Sequence, residues 1–213
     1  MTTNQLTIFG NTAQSAPATT SHPLILLPDA ELLYYPTFFD TATADRLFQT
    51  LLDSLTWKQD VIKLYGKAIP LPRLSAWYGD ADKPYTYSGI TLQPNPWTDE
   101  LQFVKQQLET VAGVSFSSVL INRYRDGKDY ISWHTDAEKE LGRNPVIGSV
   151  NFGATRRFQL RRIDDHSVKH EVELGHGTLL VMQGATQHFW QHQVPKTATN
   201  IGERLNLTFR IIR

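Results

Sequence analysis

The sequence predicts an α+β chain that is mainly β: a double-stranded β-helix, or jelly roll, with helices packed on one of its sheets. Two observations point there. Two amphipathic helical stretches occupy the first half, and after Gly113 short β-branched and aromatic runs alternate with Gly, Asp and Asn clusters. No internal repeat or linker divides the chain, and 213 residues suffice for one substantial core.

Residues 1–22, rich in Thr, Ser, Asn, Gln and Ala, read as a flexible N-terminal arm, which leaves 23–213 as a single domain. Residues 23–39 are apolar and β-prone, interrupted by Pro28 and Pro36. A helix follows, capped by Asp40 or Thr41, because Leu47, Phe48, Leu51, Leu52 and Leu55 recur at helical spacing. Leu64-Tyr65-Gly66-Lys67 suits a hairpin tip able to enter a duplex, or equally a plain turn. A second helix is expected over 98–112, with Leu101, Val104, Leu108 and Val111 as its stripe and Gly113 at its C-terminal end. Strands are expected over 117–124, 146–152, 157–161, 168–174, 178–182 and 205–212.

The absence of cysteine excludes disulfides and thiolate metal sites, so a transition metal would need His and carboxylate. The N-terminus lacks the pattern of a secretory signal and no apolar run is long enough to span a bilayer, so the expected address is cytoplasmic, with no membrane partner and a monomeric state. Net charge is zero but uneven: residues 1–120 hold seven Lys/Arg against eleven Asp/Glu, and 121–213 hold fourteen against ten. A modestly basic second half tolerates a polyanion, and solvated surface charge explains it equally well.

Of the seven histidines, His134 forms an H-x-D pair with Asp136. At period two both point to one side of an extended segment and reach one ion. Trp133 beside them suggests partial burial, where an unpaired Asp is costly. A third ligand must come from a later stretch, where His188 and His192 both qualify. Two His and one carboxylate leave positions open, which suits Fe(II) that binds a cosubstrate and O2.

Near the C-terminus, Arg204, Asn206, Thr208 and Arg210 alternate with Leu205, Leu207 and Phe209, giving a strand with one polar face. Facing outward, that polar side is an ordinary solvated edge. Facing into a barrel, its two guanidiniums lie roughly 20 Å apart along a flat strand, and only strong curvature brings them to opposite ends of one dicarboxylate. Asn122 and Tyr124, two apart on another strand, offer an amide and a phenol to the same ligand.

At these residues the sequence resembles the AlkB family of nucleic-acid dealkylases. The matching segments are Asn122-Arg-Tyr124, His134-Thr-Asp136, Trp190-Gln-His192 and Arg204-Leu-Asn-Leu-Thr-Phe-Arg210, in order and in spacing. The stretches 84–88, 149–156 and 176–186 look closest to the human-type branch acting on DNA and RNA, and the resemblance runs from about Tyr65 to the C-terminus. It implies iron ligands His134, Asp136 and His192, the W-x-H-x-x-P context choosing His192 over His188. It implies 2-oxoglutarate held by Arg204 and Tyr124 at the far carboxylate and by Arg210 and Asn122 at the chelating end. Gln191 stands where relatives often have Tyr, which is expected to alter polarity beside the metal without abolishing metal binding.

An enzyme acting on a base must take it out of the stack and hold it between flat side chains. Trp77, Tyr78, Tyr85 and Tyr87 are candidates, and the resemblance places Tyr85 and Tyr87 in a lid within the region of about 40–113. Core packing accounts for Trp77 equally well. Glu138, two past Asp136, falls on the ligand side if the extended geometry continues, where it would favour cationic adducts. Arg73 and Arg161 are candidates for substrate or phosphate contacts. The expected reaction is oxidative demethylation of 1-methyladenine and 3-methylcytosine in DNA or RNA, releasing formaldehyde, succinate and CO2. Two other readings compete: a 2-oxoglutarate-dependent hydroxylase of a protein or small molecule, and a non-catalytic module binding single-stranded nucleic acid.

Overall fold

Both helices form where their caps and apolar spacing place them. In the computed structural model, which describes residues 24–64, 66–81, 85–87 and 90–213, the side chains of 63–64, 85–87 and 90–92 lie outside the description. Helix α1 (Thr41–Ser54) begins at Asp40, whose carboxylate accepts from the Thr43 N–H, and buries Ala44, Leu47 and Leu51. Helix α2 (Asp99–Ala112) begins at Thr98, buries Leu101, Val104 and Leu108, and ends on Gly113 at φ 67°.

The strands are β1 (Leu24–Leu27), β2 (Ala30–Tyr35), β3 (Val61–Leu64), β4 (Lys67–Pro70), β5 (Leu74–Gly79), β6 (Tyr85–Tyr87), β7 (Ile90–Leu92), β8 (Ser118–Tyr124), β9 (Ile131–His134), β10 (Ile147–Gly153), β11 (Arg156–Arg162), β12 (Lys169–Leu174), β13 (Thr178–Gln183), β14 (Trp190–Val194) and β15 (Arg204–Arg210). A four-residue helix α3 (Thr186–Phe189) precedes β14. Seven strands form the larger sheet in the order β1-β2-β13-β10-β15-β8-β5, and four form the smaller in the order β12-β11-β14-β9. The hairpins β3–β4 and β6–β7 form separate two-stranded sheets. These strands pair antiparallel, as a jelly roll requires.

Two apolar layers result. One lies between α1, α2 and the larger sheet, and takes Val119, Ile121, Val150, Phe152, Leu179, Val181, Leu205, Leu207 and Phe209. The other lies between the sheets, and takes Ile147, Leu180 and Met182 from one and Phe158, Leu160, Val172, Leu174 and Trp190 from the other. β13 is buried on both faces, which is why its sequence reads as a continuous apolar run. Helix α2 presses closely on β10: a Cβ on Gly148 would meet Leu108 Cδ2 at 2.5 Å.

The six expected strands all form, with ends shifted by no more than two residues. The stretch 23–39 contains two strands joined by a turn in which Asp29 takes φ 59°. β5, β9 and β14 lie outside the expected strand set. β9 is only four residues long and ends on a histidine, so it carries no apolar alternation long enough to read. The 64–67 segment is a hairpin turn, with Leu64 opposite Lys67 and Gly66 at φ 78°. Tyr65 at its tip lies outside the described residues.

Candidate active site

The smaller sheet assembles the metal ligands. β9 ends on His134, and β14 sets His192 directly opposite it. Their ring centroids are 4.2 Å apart. Asp136 stands two residues past the strand end. His134, Asp136 and His192 each offer one ligand atom, and the three atoms lie within 4.8 Å of one another. The Nδ1 of His134 is 2.8 Å from the Ser132 carbonyl. A carbonyl only accepts, so Nδ1 carries the proton and Nε2 keeps a lone pair for a metal. Burial pushes His192 down to about 3, with help from His134 and Arg210 and against the pull of Asp136, so the imidazole is neutral at physiological pH. Burial pushes the Asp136 carboxyl up, but Arg210, His192 and His134 outweigh it and hold the group below the ordinary carboxylate value. The Asp136 carboxylate accepts from Arg210 Nη2 at 2.6 Å, and its main-chain N–H donates to Gln187 Oε1 at 2.8 Å. His188 lies apart on α3, exposed, with Nε2 at 2.8 Å from Asn144 Oδ1.

The polar face of β15 points inward. Leu205, Leu207 and Phe209 fill the helix-side layer, which turns Arg204, Asn206 and Thr208 into the space between the sheets at 1%, 8% and 7% exposure. Register places Tyr124 beside Arg204, and aligns Asn122, Asn206 and Asn151 across β8, β15 and β10. Asn206 donates to Ser149 Oγ at 2.8 Å and Asn151 Oδ1 at 3.1 Å, and its own carbonyl accepts from Thr208 Oγ1 at 3.1 Å. It therefore braces Asn151, which accepts from Arg204 Nη2 at 2.6 Å. Arg204 Nε and Nη1 are buried without a hydrogen-bond partner among the described residues. Sequence reasoning passed over Asn151 and Gln187. The alternation Ser149-Val150-Asn151 was a legible signal for the first, whereas the packing of α3 gave none for the second.

The substrate candidates fare differently. Tyr78 is corrected: strand phase sends it into the helix-side core, where its hydroxyl accepts from the Thr56 N–H at 3.2 Å. Trp77, the opposite phase, packs against Leu141 and Ile212. Arg73 turns inward, and Nε donates to Asn122 Oδ1 at 2.9 Å, which sets it at the polar cluster between the sheets. Arg161 pairs with Gln191, out of phase with the Leu160–His192 pair, so it lies on the other face of the smaller sheet from the metal ligands. There it stacks over Trp133 at 4.3 Å from the ring centroid and donates twice to Gln191 Oε1, at 2.9 and 2.7 Å. The strand stops at His134 and a 3-10 turn begins at Lys139, with Glu138 between them still in extended backbone at φ −62° and ψ 146°. The Glu138 Oε2 is buried and lacks a hydrogen-bond partner among the described residues. Tyr85 and Tyr87 occupy β6 opposite β7, and their side chains, with the lid expected of them, lie outside the described residues.

The donors fit the groups that the sequence leads one to expect. A neutral His192, an ionised Asp136 and a His134 with Nε2 available form a two-histidine, one-carboxylate set with room for further ligands. A buried guanidinium with two unused donors suits a carboxylate.

Comparison with known proteins agrees. The profile of the 2OG-Fe(II) oxygenase superfamily matches residues 31–210. Alpha-ketoglutarate-dependent dioxygenase alkB homolog 3 of Homo sapiens is 44% identical over 187 residues, covering 84% of this chain and 65% of that protein. DNA oxidative demethylase ALKBH2 of Homo sapiens is 39% identical over 188 residues, covering 84% of this chain and 72% of that protein. The chain spans 63% to 65% of the length of the alkB homolog 3 proteins it matches. The solved structure of OsALKBH1 superposes with a TM-score of 0.61 over 87% of this chain and 99% of that one, and at 18% identity it bears on the fold alone.

Proposed function

Because this chain belongs to the 2OG-Fe(II) oxygenase superfamily and, within it, to the AlkB family, we propose that it removes N-methyl groups oxidatively from 1-methyladenine and 3-methylcytosine in nucleic acid, DNA or RNA. One observation carries the reading: a His-Asp-His ligand set shares the space between the sheets with a buried guanidinium, two of whose nitrogens have no hydrogen-bond partner among the described residues. Fe(II), 2-oxoglutarate and O2, when bound, supply the oxidation that turns an N-methyl into an N-hydroxymethyl group, which leaves as formaldehyde while the cosubstrate ends as succinate and CO2.

The chain's own part is placement. His134, Asp136 and His192 hold the metal. Arg210 orients Asp136 through its hydrogen bond and stands ready for the chelating end of the cosubstrate, and Asn122, held by Arg73, is proposed for the same end. Arg204 and Tyr124 take the far carboxylate, and Asn206 acts through Asn151 to keep Arg204 in place. Glu138, with a buried oxygen that meets no donor among the described residues, favours a cationic base. Tyr85 and Tyr87 are proposed to cover the base, and the Trp133–Arg161 pair to meet nucleic acid flanking the site.

The test is formaldehyde and succinate release from the Fe(II)-loaded chain with oligonucleotides carrying 3-methylcytosine, unmethylated oligonucleotides, or none. Formaldehyde from the methylated strand alone is expected. Equal succinate release in all three, with no formaldehyde, would point to another substrate class.

A further inference from the structure

Arg156 is a buried cation for which the chemistry above has no use. It opens β11 and is 3% exposed. Its guanidinium donates to main-chain carbonyls from two segments: Nη1 to Asp126 at 3.3 Å, and Nη2 to Asp129 at 3.0 Å and Pro195 at 2.5 Å. The nearby Asp129 carboxylate is taken by Arg125, through bonds of 2.8 and 2.9 Å. Arg156 and Arg204 share one neighbour: their guanidinium carbons lie 5.6 and 5.0 Å from the centroid of the Tyr124 ring. Tyr124 itself is 1% exposed.

Two buried guanidiniums at one ring are unfavourable in isolation, since desolvation and mutual repulsion both oppose them. Burial pulls Arg204 down to about 10; Tyr124 opposes that pull and Arg156 adds to it. An anion reaching the unused Nε and Nη1 of Arg204 reverses this balance. It meets the field of both cations at the phenol ring that they share.

We propose that Arg156 is a positioning residue for the distal carboxylate of 2-oxoglutarate, bracing the Tyr124 ring and adding positive potential behind Arg204. This rests on the reading that Arg204 and Tyr124 hold that carboxylate. The effect is then confined to ligands that carry one. A merely structural role for Arg156 would disturb every ligand of the pocket alike.

Calorimetric titration of the full chain loaded with Mn(II) separates these. The two ligands are 2-oxoglutarate and 2-oxovalerate, which keeps the keto-acid end and has a methyl group in place of the distal carboxylate. Arg156→Gln is expected to weaken 2-oxoglutarate about tenfold and 2-oxovalerate less than about twofold. Arg156→Lys keeps the charge but loses the planar fork that spans the carbonyls, so its 2-oxoglutarate affinity is expected to fall in between. Equal weakening of both ligands, or none for 2-oxoglutarate, overturns the proposal. If Arg156→Gln does not fold, Arg156→Lys decides by the same ratio, and an unchanged ratio overturns it. Arg204→Ala probes the underlying reading: undiminished 2-oxoglutarate affinity there removes the carboxylate assignment itself. Loss in Arg204→Ala with an unmoved ratio in the Arg156 variants removes this inference alone.

Discussion

His192 is prepared as a ligand chiefly by burial. Taken out of water beside a second imidazole, it gives up its proton before any metal arrives, and β14 aims it at His134. His188, four residues earlier, is exposed and bonded to Asn144. His192→Ala is therefore expected to abolish Mn(II) binding by calorimetry and turnover, while His188→Ala keeps most of both; equal losses in folded proteins would refute the ligand set. Glu138 carries a second prediction. Its buried oxygen, without a partner among the described residues, faces a desolvation cost that a cation can offset and a neutral base cannot. Glu138→Gln is expected to lower the kcat/KM ratio of 3-methylcytosine over 3-methylthymine about tenfold, near 1.4 kcal/mol. If the ratio holds steady, lesion choice lies elsewhere, for instance in the reactivity of the adduct.

At the scale of elements, β15 joins the core to the chemistry. One face locks the strand under the helices, and the other then has no choice but to face the smaller sheet. The precision of Arg204 comes from neighbouring strands, through Asn151 and Tyr124. Arg204→Lys retains a charge but not the fork, so the half-saturating concentration of 2-oxoglutarate should rise by about tenfold or more. A value within twofold of the native one would contradict the assignment. The seating of α2 on β10 is equally exacting. A methyl group at Gly148 collides with Leu108, and Gly148→Ala should lower unfolding stability by about 1–3 kcal/mol in urea titrations. No loss would mean that α2 shifts freely over the sheet.

Across the whole molecule, the two apolar layers let the larger sheet be covered by helices on one side and by the site on the other. Stability and chemistry therefore share residues, and this has a pH signature. His192 sits at about 3 when folded and near 6.5 when unfolded. Between those values the unfolded chain takes up a proton that the folded chain refuses. The contribution is therefore full above about pH 6.5 and is lost as pH falls toward 3, by up to about 1.4 kcal/mol per unit. Asp136 and Asp129, both held below the usual carboxylate range, add losses in the same direction at still lower pH. Between about pH 7 and 5.5 the metal-free native chain should lose about 1 kcal/mol more than His192→Asn. Identical losses in the two would show that His192 is not the group responsible.

The sequence by itself determined both helices with their caps, six strands, the H-x-D pair and the Arg-x-Asn-x-Thr-x-Arg face. Each of these is a local pattern, written in spacing or capping chemistry within a few residues. The family segments carried His192 as well, since their context is linear. Only the tertiary structure decided which way each face points. The polar side of β15 was open to either reading until Leu205, Leu207 and Phe209 were committed beneath the helices. Tyr78 and Arg161 read as site residues by type, yet strand phase placed one in the core and the other on the far face of the smaller sheet. Arg73 turned inward because Asn122 stands across the sheet from it, 49 residues away in the chain. Spacing along one strand sets which residues share a face, whereas the side that face takes is set by what packs against it, and those partners are distant in sequence.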